Sequence, residues 1–194
     1  MYELFFQNIA KHIQLESSEE LLITKKLYLK SVVKNEKLLQ SGNYCKEIYF
    51  VNKGCLRVFQ NHTNGEETTS LFCPENWWAS DIMSFSQNIP ALSAIDALED
   101  SEIICLNSTD LEELYIKIPK LERFFRILFQ NGFGLYQQRL TLALSTSAAI
   151  RYTLFTKQYP TLVNRISQKH IAAYLGITPV FLSIIRRKMV SDKN

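Results

Sequence analysis

Cysteine and histidine are scarce in these 194 residues, and the few present lie scattered. Cys45, Cys55, Cys73 and Cys105 form no Cys-x-x-Cys pair and have no histidine beside them. That spacing argues against a zinc or iron–sulfur site and leaves buried, reduced thiols as the expectation. His12, His62 and His170 are equally dispersed. No metal and no cofactor is therefore expected, and an enzyme of the metal-holding small-barrel kind is disfavoured for want of clustered His and carboxylates. Long apolar runs are missing too. No stretch approaches the roughly 20 residues a membrane helix needs, and Glu3 stands where a secretory signal would carry positive charge. A cytoplasmic protein with no membrane partner is the expectation. The most informative shortage is of acids at one end. Residues 119–194 hold 12 Lys and Arg against 2 Asp and Glu, whereas residues 1–118 hold 10 against 17. The net charge of +3 conceals an acidic front and a basic rear, which points to a polyanionic partner for the rear.

What is present changes period along the chain. Leu4, Phe5, Ile9 and Ile13 recur at helical spacing over residues 3–14, and residues 17–26 read as a second helix with Ser17 and Glu20 at capping-box spacing. From Leu27 the runs shorten to LYLKSVV, EIYFVN, CLRVFQ, TTSLFC and IICL, parted by Ser41-Gly42, Lys53-Gly54 and Asn64-Gly65, the last a hairpin signal. Such a series predicts a compact β-barrel or β-roll. Helical period returns at Ser108. Residues 119–144 can then form one helix of about 26 residues, roughly 39 Å at 1.5 Å per residue, longer than either flanking core requires. Leu121, Phe125, Leu128, Gly132, Leu135 and Leu142 make a stripe at coiled-coil spacing. Phe124, Ile127 and Phe129 widen the apolar surface, so one face can serve the roll and another a second chain; the stripe is read as the seam with that second chain, with a kinked intrachain helix as the alternative. Gly132 and Gly134 each weaken a helix by about 1 kcal/mol, so a close backbone approach or a bend is expected there. Tyr152, Phe155 and Tyr159 are expected to pack beneath the segment that follows.

That segment, QKHIAAYLGITPVFLSIIRR at residues 168–187, reads as a helix-turn-helix. Ile171 and Leu175 share a face of the first helix, and Ala172 lies where only a small side chain fits between helices. Gly176 is placed at the turn, where a left-handed conformation costs glycine little. Thr178 can cap the second helix and Pro179 occupies its first position, where a missing N–H is no loss. Leu182 and Ile185 return the second helix to the first. Arg186, Arg187, Lys188 and Lys193 crowd its end. An ordinary helical hairpin would satisfy the same steric pattern. His170, within the first helix, is expected to be solvated or packed, with a phosphate contact as the other reading.

A helical pair, a β-roll, a long apolar helix and a terminal helix-turn-helix together resemble the Crp/Fnr family of bacterial transcription regulators. The stretch SGNYCKEIYFVNKGCLRVF is similar to the family's roll signature, and ALEDSEIICL to its late strands. The resemblance implies an α+β fold: an N-terminal cyclic-nucleotide-binding-like β-roll (jelly roll) with flanking helices over residues 1–118, a dimerisation helix over 119–145, and a helix-turn-helix domain over 146–194. It implies a homodimer, promoter DNA as partner, a small-molecule effector, and RNA polymerase as a further candidate partner.

Three departures from the family pattern qualify this. Members that bind cyclic nucleotides hold the ribose with a Gly-Glu pair and the phosphate with an arginine in an Arg-Ser-Ala segment. Here Ser80-Asp81 replaces the pair, and Leu92 stands before Ser93 where the arginine belongs. Loss of a charge-assisted contact, with a carboxylate nearby, is expected to abolish tight cyclic AMP binding. Trp77 and Trp78 join these residues as candidate effector-pocket positions, able to pack in the core or to receive an apolar or planar ligand. Second, the recognition helix offers Pro179, Val180 and Ile184 where the family places charged base readers. Only Thr178, Ser183 and Arg187 remain as polar readers, with Gln168, Lys169, Arg186 and Lys188 for phosphates. Third, few residues follow the recognition helix, so no full wing is expected. The competing reading is a β-roll sensor or scaffold whose C-terminal helices bind a protein partner through Val180, Phe181 and Ile184.

Overall fold

The computed structural model describes residues 1–191. Two short helices, α1 (Glu3–Ala10) and α2 (Ser17–Thr24), lead into eight strands. These are β1 (Leu27–Val32), β2 (Lys37–Leu39), β3 (Glu47–Lys53), β4 (Cys55–Asn61), β5 (Glu67–Pro74), β6 (Trp78–Ala79), β7 (Ala94–Ala97) and β8 (Ser101–Asn107), with helix α3 (Ile82–Gln87) between β6 and β7. They form two antiparallel four-stranded sheets, ordered β1-β8-β3-β6 and β2-β7-β4-β5. The five runs visible in sequence became β1, β3, β4, β5 and β8. The short β2, β6 and β7 went unseen because two to four residues carry no readable alternation.

Local chemistry sets several junctions. Gly54 turns β3 into β4 at φ +92°, and a Cβ there would collide with the Ser101 side chain, so glycine is required twice over. The Asn64-Gly65 signal does join a hairpin, β4 to β5, through a loop in which Gly65 takes φ +81° and Asn64 Oδ1 accepts from the Glu66 N–H at 3.0 Å. The cap of α2 falls one residue earlier than Ser17: the Glu16 N–H donates to the Glu19 carboxylate at 2.7 Å. Glu19 also pairs with Lys120 at 2.6 Å, an anchor that Glu20 lacks.

The chain continues as α4 (Ser108–Lys117), α5 (Lys120–Ser145), α6 (Ala148–Gln158), α7 (Gln168–Leu175) and α8 (Pro179–Ser191). Three apolar clusters result. The roll interior holds Val51, Leu56, Val58, Ile95 and Ile103. Outside the first sheet, Phe5, Ile9, Phe50 and Trp78 meet Leu121, Phe124 and Phe125 from the start of α5. The third cluster joins Cys55, Phe72 and Leu98 of the roll to Phe155, Tyr159, Ile171, Leu175, Leu182 and Ile185. Tyr152, Phe155 and Tyr159 thus lie beneath the helix-turn-helix as expected, and the same cluster seats it on the roll.

Helix α5 divides its apolar surface. The first part of the stripe read as an interchain seam faces the roll: Leu121 and Phe125 are buried, Leu128 packs on the same cluster, and Gly132 and Leu135 line a cavity against the roll. The outward apolar stripe is instead Phe133, Tyr136, Leu140 and Leu144, rising to 81% exposure at Leu144. Gly132 and Gly134 have no atom of this chain within 4 Å of where a Cβ would stand, so no close approach within the chain explains them. The roll claims the first half of the stripe because its aromatic cluster lies where the helix begins. Periodicity alone cannot say which neighbour a stripe meets.

Candidate nucleic-acid interface and effector cavity

The helix-turn-helix is built as its sequence requires. Ser167 caps α7, its hydroxyl accepting from the His170 N–H at 3.4 Å, and Gly176 ends the helix in the left-handed region at φ +66°. Thr178 Oγ1 accepts from the Phe181 N–H at 3.2 Å, so the predicted cap of α8 is made. Ile171, Ala172, Leu175, Leu182 and Ile185 are all buried. The outer face of α8 presents Val180 at 72% exposure, with Phe181 and Ile184 beside it and Arg187 and Lys188 beyond, while Arg186 is half-buried. Two of the expected polar readers have structural partners. Thr178 is the cap, and the Ser183 hydroxyl bonds Gln168 Oε1 at 3.2 Å and the Pro179 carbonyl at 3.0 Å. Lys169 Nζ stands 4.0 Å from Glu67. Lys193 lies outside the described residues.

Arginines from the rest of the chain hold this unit. Arg57 in β4 is 2% exposed. Its Nε and Nη2 donate to Asp96 at 3.0 and 2.6 Å, and its Nη1 donates to Glu67 at 2.8 Å. The same Nη1 lies 2.8 Å from His170 Nδ1 on α7, while the guanidinium covers the Phe59 ring at 3.8 Å. Burial works against the Arg57 charge, but the paired carboxylates hold its pKa above the ordinary value. Burial, then the Arg57 charge, pushes the His170 pKa below its ordinary value. The imidazole is therefore neutral at pH 7 and Nδ1 is the acceptor. At the other end of α7, Arg139 of α5 donates to the Tyr174 carbonyl at 2.7 Å, to the Thr69 carbonyl at 3.2 Å and to the Ser70 carbonyl, with its guanidinium 3.7 Å from the Tyr174 ring centre. Arg165 pairs with Glu75 at 2.7 Å and with Glu99. Helix α7 is thus tied to the roll near both ends. An arginine inside the apolar run CLRVF was the sequence signal for such a buried ion cluster; its reach to His170 was not readable.

A cavity of about 610 Å³ lies between α1, β6 and α5. Trp77, Trp78 and Ser80 line it, with Phe124, Leu128, Phe129, Gly132, Phe133 and Tyr136 of α5 opposite. The two tryptophans also serve different cores: Trp78 packs on Phe5 and Phe50, and Trp77 on Tyr159. Asp81, Leu92 and Ser93 do not line this cavity.

Comparison with known proteins accounts for this architecture. Residues 29–117 match the cyclic nucleotide-binding domain family. FixK2 from Bradyrhizobium japonicum superimposes with a TM-score of 0.78 at 15% identity, covering 86% of each chain. The global regulator CLP of Xanthomonas campestris, described as responsive to c-di-GMP, gives 0.74 at 9% identity over 92% of this chain and 93% of its own. A transcriptional regulator of the crp/fnr family from Eubacterium rectale gives 0.72 at 16% identity over 92% and 85%. The chain has the Crp/Fnr fold. No curated protein matches it in sequence.

Within this Crp/Fnr fold the segment from Ser80 to Ser93 has its own geometry. Asp81 is buried and acts as a clasp: Oδ1 accepts from the Ser84 N–H at 3.1 Å, capping α3, and Oδ2 accepts from the Ser93 N–H at 2.9 Å. Ser80 Oγ is 3.3 Å from Cys45 Sγ. Leu92, where the family's arginine is expected, is 75% exposed. All four cysteines are buried and free, and burial pushes the Cys55 and Cys105 thiols up to about 12. Among the described residues no helix is long and apolar enough to cross a membrane.

Proposed function

We propose that this chain is a dimeric, DNA-binding transcription regulator of the Crp/Fnr type, working in the cytoplasm, without enzymatic activity and without a response to cyclic AMP. One observation carries the reading: a complete helix-turn-helix, seated on a cyclic-nucleotide-binding-type roll, leaves the outer face of α8 exposed beside Arg187 and Lys188. Lys169, Arg186 and Lys188 would contact phosphates with Gln168 at the α7 N-terminus, while Thr178, Val180, Ser183, Ile184 and Arg187 face bases. Val180 and Ile184 suit thymine methyls, so the preference runs to A·T-rich sites with modest discrimination. Dimerisation would use α5 through its outward stripe, and RNA polymerase would be engaged at the promoter. The carboxylate of Asp81 is already engaged and Leu92 offers no charge, which supports the absence of a cyclic AMP site. Calorimetric titration should find no binding; a micromolar affinity would overturn that part.

Selection of bound genomic fragments by purified protein at two salt concentrations tests the whole. Enrichment of related sequences, with affinity falling steeply in salt, is expected. Arg187→Ala should weaken binding and relax preference, whereas Lys188→Ala should lower affinity evenly and flatten the salt slope. A second reading is favoured by the apolar Val180, Phe181 and Ile184 surface, which suits a protein partner. Failure of duplex binding at low salt would transfer the assignment to it.

A further inference from the structure

The cavity between α1, β6 and α5 has a charge pattern that the roll as a whole does not share. The first 118 residues carry 17 acids against 10 bases, yet no Asp or Glu lines this space among the described residues. The basic groups at it among the described residues are Lys11 and His12, both exposed at its edge. Lys11 makes no ion pair among the described residues. Two of the neighbouring donors are already engaged: Trp78 Nε1 donates to Asn8 Oδ1 at 3.0 Å, and Asn8 Nδ2 donates to Asn76 Oδ1 at 2.8 Å. Among the described residues Lys11 is the ammonium donor at the cavity. Deeper in, the walls are Trp77, Trp78, Phe124, Leu128 and Phe129, and the volume of about 610 Å³ falls among small-molecule sites. A cation would meet two basic side chains, and a multiply charged ligand would have to be desolvated against aromatic rings. An apolar body with one anionic end satisfies both regions.

We propose that this cavity binds an apolar carboxylic acid, its ring or chain against the aromatic walls and its carboxylate on Lys11 beside His12. Of the candidate effector-pocket positions, Trp77, Trp78 and Ser80 line it, whereas Asp81, Leu92 and Ser93 do not. It deepens the reading of the roll as a sensor, and rests on that reading only for the consequence of binding. That consequence has a short route: Leu71 lines the cavity, while its neighbours on β5 engage the unit that carries α7, Ser70 through Arg139 and Phe72 by packing on Tyr174 at 5.2 Å.

Both tryptophans of the chain line the cavity, so intrinsic emission reports its occupancy. Full-length protein should be titrated with laurate, naphthoate, dodecanol and dodecylamine below their micelle-forming concentrations. Saturable changes with the two acids are expected, about tenfold tighter than with the alcohol, as suits one charge-assisted contact. The amine should not compete. Lys11→Glu should abolish the preference for acid over alcohol, whereas Gly132→Phe, which places a ring in open space on the cavity wall, should remove binding of both. Equal affinity for acid, alcohol and amine would overturn the assignment. Undiminished acid binding by Gly132→Phe would do the same, as would the absence of any response because a second copy covers the cavity. The regulator reading is scored separately, by duplex binding of the same preparation. Acid binding without duplex binding would sink that reading and keep the site; duplex binding without acid binding would do the reverse.

Discussion

The docking of α7 on the roll should weaken in mild acid, and His170 is the group that makes it do so. Nδ1 lies 2.8 Å from Nη1 of the buried Arg57 and can accept only while unprotonated. A hydrogen bond to a charged partner contributes about 1.5–3 kcal/mol, and the half-buried position of His170 argues for the lower end, about 1.5 kcal/mol. Protonation removes that bond and sets an imidazolium beside a guanidinium. The groups around His170 do not reverse the sign. Asp96 from β7 and Glu67 from β5 favour the proton, Lys169 opposes it, and burial with Arg57 outweighs the carboxylates, so the docked pKa is below the ordinary 6.5. The undocked histidine thus takes up its proton first as pH falls. The contribution to docking is complete above about pH 6.5 and is lost progressively toward the lower docked value. Hydrogen exchange over β5 and α7, corrected for intrinsic rates, at about pH 7.5 and about pH 5.5 measures this. Protection should fall at the lower pH in the wild type by at most about tenfold, since one proton taken up below about pH 6.5 is worth about 1.4 kcal/mol per pH unit. It should fall much less in His170→Gln, which keeps an acceptor but does not titrate. Equal losses in the two proteins would refute the reasoning.

Other consequences follow from single positions. Leu140→Glu with Leu144→Glu should convert a dimer to a monomer in sedimentation without lowering the melting temperature of the monomer, because both side chains point outward; an unchanged oligomer would move the seam elsewhere. Gly54→Ala adds a Cβ that meets Ser101 at a backbone position with φ +92°, so a loss of about 2 kcal/mol or more in denaturant unfolding is expected. Asp81→Asn keeps one accepting oxygen and turns an N–H₂ toward a backbone N–H, which should cost about 1–3 kcal/mol and loosen α3, read as faster amide exchange at Ser84 and Ser93.

How much of this was legible in sequence differs between regions for physical reasons. The helix-turn-helix was readable because its constraints are local and steric: Gly176 needs a left-handed turn, Thr178 a free N–H to cap, and Ala172 a tight crossing, all within one short window. The roll was readable in outline from its longer strands and turn dipeptides. Strands as short as Trp78–Ala79 escaped, since they exist only by pairing with β3. The apolar stripe on α5 was found, yet the burial of its first part against the roll was not, because Leu121 and Phe125 look alike whether they face a roll or a second helix.

Sequence alone therefore determined the order of the longer elements and the charge division between the two ends, because both are read along the chain without knowing what folds against what. Tertiary structure alone decided where the polar groups go. It brought Arg57 to His170 across 113 positions, turned the Asp81 carboxylate onto two backbone amides, and gathered an aromatic cavity without acids between α5 and the acidic N-terminal region. A buried charge takes whichever partner folding carries within hydrogen-bonding distance, and no local pattern records which that will be.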